Sequence, residues 1–473
     1  MKNFRAFDLN QSLLLPPDLR DWLPEGHLAR FVGEVVSELD LSCILSSYED
    51  GRGQAAYHPQ MLSGLLIYGY CTGIFSSRRM ERATYEDVAF RFLSGDQHPD
   101  HDTIASFRER HLEALKSLFL QVLRLCEKAG LVQLGHVALD GTKVKANASK
   151  HKAMSYDHMV KRERELAQQI EGLLAQAASI DATENQQYGT GKRAEQLPQD
   201  LARSQQRLAK IREAKAALEQ EAQAAAAQRK AEAEAALAER AQREAETGKG
   251  TRGRKPEIPD PETTTPDPKA QRNFTDPESK IMKDGATKGF EQAYNAQIVV
   301  DAAHQIIVAE DLTTQSNDKQ QLVPMLAQVA VNLGRTPTAA SADAGYYSDD
   351  QLIDPRLAGI DLHVPPDRQK HHQPPPPEDP PDQPSPPPTD TAPPPATRKT
   401  RIEAMRQKLK TAAGHAIYRM RKAIVEPVFG QTKQVRGFRR FSFRGRTKAR
   451  AEWSFVCTTH NLLKLWRAGW QPA

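Results

Sequence analysis

Cysteine is nearly absent. Cys43, Cys71, Cys126 and Cys457 are the only four in 473 residues, and no two form a CxxC pair. This excludes a disulfide-built scaffold and argues against a structural zinc site. The four are expected to pack as small hydrophobes among apolar neighbours. Long apolar runs are missing too, each stretch being too short or too charged to span a bilayer. Met1-Lys-Asn-Phe-Arg-Ala-Phe7 also lacks the apolar core of a signal peptide. A soluble cytoplasmic protein is the expectation. Acid is missing locally: from Pro427 to Ala451 there is no Asp or Glu, while Lys433, Arg436, Arg439, Arg440, Arg444, Arg446, Lys448 and Arg450 all lie there. The net charge of +5, from 65 basic and 60 acidic residues, hides this tract. Phosphate binding depends on local charge, so the tract, not the total, points to nucleic acid.

The length allows two or three domains with a substantial core. The 32 prolines and the mean hydropathy of -0.64 come largely from two segments unsuited to a core. Residues 1–130 read as an all-α domain. Leu28, Phe31, Val32, Val35 and Val36 recur at helical spacing, as do Leu62, Leu65, Leu66 and Tyr70 after His58-Pro59. One further helix is predicted from Ile104 to Leu125, with a cap at Asp102-Thr103 and a stop at Gly130. With Arg78, Arg79, Arg82, Arg108 and Arg110 nearby, this region suits either a helix-turn-helix-like DNA reader or a plain helical bundle.

Residues 131–153 open an α/β core with a strand. From 154 to 246 the chain turns to Ala, Glu, Gln, Lys and Arg, which predicts long helices in an arm, broken near Tyr188-Gly-Thr-Gly-Lys192. The arm is either a dimerisation device or a solvated appendage. Residues 247–270 read as a flexible linker. The core continues over 271–364. Its strands are Tyr294 to Val300, Gln305 to Leu312 and Ile360 to Val364, with a helix from Asp318 to Leu333. Residues 365–400 are Pro-rich and are expected to be disordered or polyproline II. Residues 401–473 hold C-terminal helices, the last of which, Trp453 to Trp466, should pack back on the sheet.

Three acids carry the chemistry. Asp140 ends the apolar run Leu134-Gly-His-Val-Ala-Leu-Asp140, and Asp343 ends Thr338-Ala-Ala-Ser-Ala-Asp343. Glu426 lies in Tyr418-Arg-Met-Arg-Lys-Ala-Ile-Val-Glu426-Pro427, before the basic tract. A carboxylate at the end of a buried strand is held rigid with its head beyond the sheet edge. Two such strands and an acid from a helix can hold two hard cations, Mg²⁺ or Mn²⁺, about 4 Å apart to act at a phosphodiester. Lys422, Glu426 and Lys433 can share one helical face, with Pro427 placing Glu426 at a kink or at the first turn of a new helix. Asp301, Glu310, Asp311, Asp349 and Asp350 are second choices as acids. Lys143, Lys145, Lys422, Lys433, Arg436, Arg439, Arg440, Arg444 and Arg446 are the candidate DNA contacts. Phe438, Phe441 and Phe443 could stack on a base or fill the core.

The strings ALDGTKVKANAS, SADAGYYSDDQL and IVEPVFGQTKQVRGFRRFSFRGRTKARAEW, in this order, resemble the blocks around the acids of DDE-type transposases of bacterial insertion sequences. The likeness is to relatives with a long insertion, the IS eleven-eighty-two-like group, and covers most of the chain outside 155–270 and 368–400. It implies an RNase H-like mixed sheet with flanking helices, an all-α DNA-binding domain before it and a helical insertion within it. It further implies metal-dependent cleavage of double-stranded DNA at terminal inverted repeats, strand transfer into target DNA, and a homodimer or higher oligomer on DNA. Asp140, Asp343 and Glu426 would be the catalytic metal ligands. Two departures stand out: Tyr418 and Arg421 lie one position farther from the Glu than the relatives' motif has them, and the Cys-containing segment that many relatives carry near the Pro-rich stretch is absent. Two alternatives remain, a DNA-binding regulator that has lost catalysis and an RNase H-like nuclease that cuts without joining.

Overall fold

The structure is a computed structural model that describes residues 18–48, 56–188, 199–247, 256–285, 288–367 and 398–471. Packing divides the chain into two units, residues 1–145 with 294–473, and residues 146–293. The first unit opens with helices α1 (Leu28–Glu38), α2 (Ser42–Leu45), α3 (Pro59–Thr72), α4 (Ser77–Glu86), α5 (Val88–Ser94), α6 (His101–Arg110) and α7 (Leu112–Lys128). Local chemistry sets their ends. His27 and His58 cap α1 and α3 by accepting from Ala29 N and Gln60 N, and Pro59 fills the first turn of α3. Helix α3 stops at Gly73, whose φ of +83° favours glycine; a Cβ there would also sit 2.5 Å from the Arg436 carbonyl oxygen. The single helix expected from 104 to 125 is two. The cap is Asp100, accepting from Thr103 N, and the chain turns at His111, whose ring packs on Phe107 and Tyr48. Cys71, Cys126 and Cys457 are buried as expected, but Cys43 is exposed.

Strand β1 (His136–Lys145) leads into the second unit, which holds β2 (Ala153–Ser155), α8 (Tyr156–Tyr188), α9 (Gln199–Thr247), β3 (Gln271–Asn273) and β4 (Lys280–Lys283). The long helices form the arm. Its thin core is Met159, Leu166, Leu208, Ile211, Ala214 and Leu218, closed at one end by Met154, Tyr156, Ala270 and Phe274. Glu163 ties the two helices through Arg212 and Lys215, each at 2.9 Å. Strand β3 pairs antiparallel with β2, and β4 pairs antiparallel with the start of the next strand, Lys280 facing Ala293 and Lys283 facing Phe290. The expected break near Tyr188 and most of the Pro-rich segment lie outside the described residues.

The remaining elements are β5 (Phe290–Asp301), β6 (Ile307–Thr313), α10 (Leu322–Leu333), β7 (Ala339–Ser341), α11 (Asp349–Leu352), β8 (Asp361–His363), α12 (Arg398–Lys410), α13 (Ala412–Gly430) and α14 (Arg446–Arg467). Strands of the first unit run β6-β5-β1-β7-β8, with β7 parallel to β1 and to β8, and β6 antiparallel to β5. This curled mixed sheet, with a helical region before it and a helical insertion after its first strand, is the RNase H-like arrangement. Helix α10 begins at Leu322, four residues after the predicted start, and leaves Asp318 in the preceding loop.

Helix α14 packs on β6, α3 and α7. Trp453 Nε1 donates to Gln297 O at 3.2 Å, and Asn461 both accepts from Ile307 N and donates to Ile307 O, each at 2.9 Å. Helix α13 continues through Pro427 without a break, so no new helix starts there. A helical proline leaves the carbonyl four residues back without its donor; that carbonyl, Ala423 O, instead accepts from Gln305 Nε2 at 3.0 Å.

Glu310 on β6 is fully enclosed, and burial raises its carboxyl to about 7. The folded state therefore holds a proton that the unfolded chain releases near pH 4.5, and stability falls as pH rises from there through about 7. Glu310→Gln should abolish that loss, which is on the order of 2–3 kcal/mol. Melting temperatures at pH 5 and pH 8 check this: the difference between them should shrink in the variant.

Candidate active site

The two aspartates meet through sheet register. His136 pairs with Ala339, Val137 with Ala340 and Ala138 with Ser341, an offset of 203 that is also the separation of Asp140 and Asp343. Both acids therefore stand two residues beyond the last pair and on the same face; Asp343 lies just past the end of β7, whereas Asp140 does not end its strand as expected, because β1 runs on to Lys145. Each is trimmed by its own backbone. Asp140 Oδ1 accepts from Gly141 N at 2.8 Å, and Asp343 Oδ1 accepts from Gly345 N at 2.9 Å, capping the turn Ala344–Tyr346.

Around the pair lie groups from four other elements. Arg421 of α13 donates to Asp140 Oδ2 at 2.9 Å, its guanidinium over the Tyr418 ring. Burial lifts the Asp140 carboxyl to about 6; the charges of Asp343 and Asp318 add to the rise, while Arg421 and the Gly141 N–H oppose it. Burial lowers the Lys143 ammonium, against the pull of Asp318, Asp140 and Asp343. Asp318 Oδ1 accepts from Asn295 Nδ2 and Gln297 Nε2, each at 2.6 Å, and lies 3.9 Å from Lys143 Nζ. The buried Tyr346 hydroxyl donates to Gln297 Oε1.

Asp318, Asn295 and Gln297 were missed in the sequence. A signal was present for two of them: Asn295 and Gln297 alternate in an otherwise apolar strand, so two amides share one buried face.

Glu426 is exposed on α13, five residues past Arg421 and so roughly 140° around the helix. Among the described residues it makes no hydrogen bond or ion pair with either aspartate, and no group of three or more His, Cys, Asp or Glu is arranged to hold a metal ion. Beyond α13 a single π-helical turn, Gln431–Val435, carries Lys433 inward. Its ammonium donates to Thr142 Oγ1 at 2.6 Å and to Lys143 O at 2.7 Å, tying the turn to the tail of β1.

The basic tract then runs alongside that tail: Lys145 N donates to Arg439 O at 3.1 Å and Phe441 N to Lys145 O at 2.9 Å. Phe438 and Phe441 are core, packed edge-to-face on each other and against Phe75 and Tyr294. Arg436 does not belong to the exposed track expected of it. It is buried, donating to Thr459 Oγ1 at 2.8 Å, Thr432 Oγ1 at 2.9 Å and Val456 O at 3.3 Å, and cannot reach DNA. Lys143 and Lys433 are half-buried, whereas Lys145, Lys422, Arg439, Arg440, Arg444 and Arg446 are exposed.

Of the second-choice acids, Asp301 accepts from Leu134 N, Asp311 pairs with Arg450 and Asp349 with Arg401, each in a structural role. In the N-terminal helices Arg108 is buried and donates to Phe75 O at 2.7 Å, while Arg78, Arg79, Arg82 and Arg110 are exposed.

Residues 17–110 match a transposase domain family (DUF772), and residues 262–462 match the Transposase DDE domain. The chain carries a transposase DDE domain. That match spans Asp343 and Glu426, and Asp140 falls between the two matched stretches. Together they support a DDE-type transposase. No curated protein and no solved structure matches the chain.

Transposases of the DDE kind generally use divalent metal ions, and the residues of this DDE domain fit one. Magnesium is commonly held by one or two carboxylates, with water and substrate phosphate completing its shell. Asp140 and Asp343 would supply that much, as hard oxygen donors held on and just beyond two adjoining strands. The fit is to an open site, not to a closed protein cage. No helix among the described residues is long and apolar enough to cross a membrane.

The exposed part of the tract gives a direct expectation for this transposase domain. Replacing Arg439, Arg440 and Arg444 with Ala should weaken binding to DNA of any sequence. The slope of log K against log salt should flatten by about 0.9 per lost phosphate contact. Arg436→Ala should instead lower the melting temperature. A titration at several salt concentrations, paired with a thermal melt, separates the two effects.

Proposed function

We propose that this chain is a transposase of the IS eleven-eighty-two-like group that cuts double-stranded DNA at the inverted repeats of an insertion sequence and joins the ends to a target. The observation that carries the reading is the register that sets Asp140, midway along β1, beside Asp343, just past the end of β7. A divalent cation held there, Mg²⁺ or Mn²⁺, would neutralise charge developing on the phosphodiester and favour the attacking oxygen. Asp140 and Asp343 would hold it, and Glu426, without a protein partner among the described residues, is the third ligand in this reading. Arg421 keeps Asp140 oriented through its Oδ2 oxygen, and Gly345 N does the same for Asp343. The exposed arginines at 439, 440 and 444 would meet the DNA backbone next to the tail of β1. Because two ends must be held together, we assign the active form as a dimer or higher oligomer on DNA.

The test is a cleavage and joining assay on DNA bearing the inverted repeats that flank the coding region, with Mg²⁺ and with EDTA. Metal-dependent cutting with joined products supports the reading. Cutting without joining would make the protein a nuclease, and tight binding without cutting would make it a regulator.

A further inference from the structure

Resting on the reading of Asp140 and Asp343 as the catalytic pair, we propose that Asp318 is a positioning residue of the centre, holding the Lys143 ammonium beside the two aspartates. Asp318 sits in the loop between β6 and α10, and its place is set by neutral donors. Asn295 Nδ2, itself held on Gln315 O at 3.1 Å, and Gln297 Nε2 both donate to Asp318 Oδ1. Tyr346, buried in the turn just after Asp343, fixes Gln297 from its other end. Amides orient a carboxylate without cancelling its charge. The full negative charge of Asp318 is therefore left for Lys143, the one Lys or Arg paired with it among the described residues.

Lysine is a compact cation on a flexible four-carbon stem, and it is fixed only where something anchors it. Lys143 and Asp318 are each about one-fifth exposed, at 20% and 21%, so the pair is partly withdrawn from water but open on one side. Asp140 and Asp343 lie within the same field, since both act on the Lys143 ammonium. A cation anchored there has N–H donors to offer a phosphate oxygen of the strand being cut. Lys143 thus belongs to the centre, not to the general DNA track, and Asp318 acts through it.

The experiment is a double-mutant cycle in the same cleavage assay, with kcat and DNA affinity measured separately. Asp318→Asn keeps the size of the side chain and an oxygen for the two amides. It should lower kcat by about tenfold to a hundredfold, the scale of a misplaced group, with DNA affinity within about twofold. Lys143→Met should give a similar loss, and Asp318→Asn should then add little in the Lys143→Met background. Multiplying losses would overturn the proposal, because Asp318 would then act by another route. A wild-type rate for Lys143→Met would overturn it as well, and that arm does not depend on the Asp318 variant folding. Asp140→Asn in the same series keeps the two readings apart. If it cuts normally, the catalytic assignment fails; if it is dead while Asp318→Asn and Lys143→Met cut normally, only the role of Asp318 fails.

Discussion

Asp140→Asn and Asp343→Asn should each reduce cleavage of inverted-repeat DNA by about three orders of magnitude while leaving DNA affinity close to that of the parent. Each substitution keeps the shape of the side chain and removes one anionic ligand from a site meant to balance charge at the phosphodiester. Such stabilisation is worth several kcal/mol, and about 4 kcal/mol corresponds to a factor of roughly a thousand. Affinity should survive because it comes chiefly from phosphate contacts, which the exposed arginines supply elsewhere. Asp140→Asn also weakens the tie to Arg421, whose Nη1 donates to the Asp140 Oδ2 carboxylate oxygen. A thermal melt beside the rate measurement therefore shows whether any loss is one of folding. Near-normal cutting by either variant would remove that residue from the centre.

Gly141→Ala should be nearly as damaging, although residue 141 has no chemistry of its own. A Cβ there would lie 2.3 Å from Gln297 Nε2 and 3.0 Å from both Asn295 Oδ1 and Asp318 Oδ1. Gln297 cannot simply swing aside, because its nitrogen is given to Asp318 and its oxygen takes the Tyr346 hydroxyl. Either this network breaks or β1 shifts directly after Asp140. Overpacking of this kind costs about 1–3 kcal/mol. A displacement of about 1 Å at the reacting groups costs on the order of a hundredfold in rate. Thermal melts and cleavage rates read the two effects, and a variant that cuts at the parent rate would show that β1 tolerates the methyl group.

Much of the fold was legible because strands and helices declare themselves through short-range periodicity. The run ending at Asp140 is buried at Val137, Ala138 and Leu139, and the run ending at Asp343 at Ala339, Ala340, Ser341 and Ala342. Helix α10 shows its predicted face, with Leu322, Met325, Leu326 and Val329 all buried. Boundaries were less legible where tertiary partners replace local signals. A new helix starting at Pro427 was one expectation, yet α13 continues through it, and Gln305, distant in sequence, donates to the carbonyl left free. Arg436 reads in sequence like its neighbours Arg439 and Arg440. It is buried because its side chain is turned toward Thr432 and Thr459, a choice that the run of basic residues does not encode.

By itself the sequence determined the element types, the two acids that follow buried apolar runs, the stretch without acid after Glu426, and the helical arm. These follow from side-chain periodicity, helix propensity and local charge, which act over a few residues. Only the tertiary structure decided which of those groups meet. It placed Asp343 in register with Asp140, brought Arg421 to Asp140, turned Lys433 onto the tail of β1, and gathered Asn295, Gln297 and Asp318 against Gly141 and Lys143. It also left Glu426 exposed on α13. Such pairings join residues far apart in the chain. They depend on sheet register, on helix phase and on which buried donors still lack an acceptor, quantities that exist only once the chain has closed on itself.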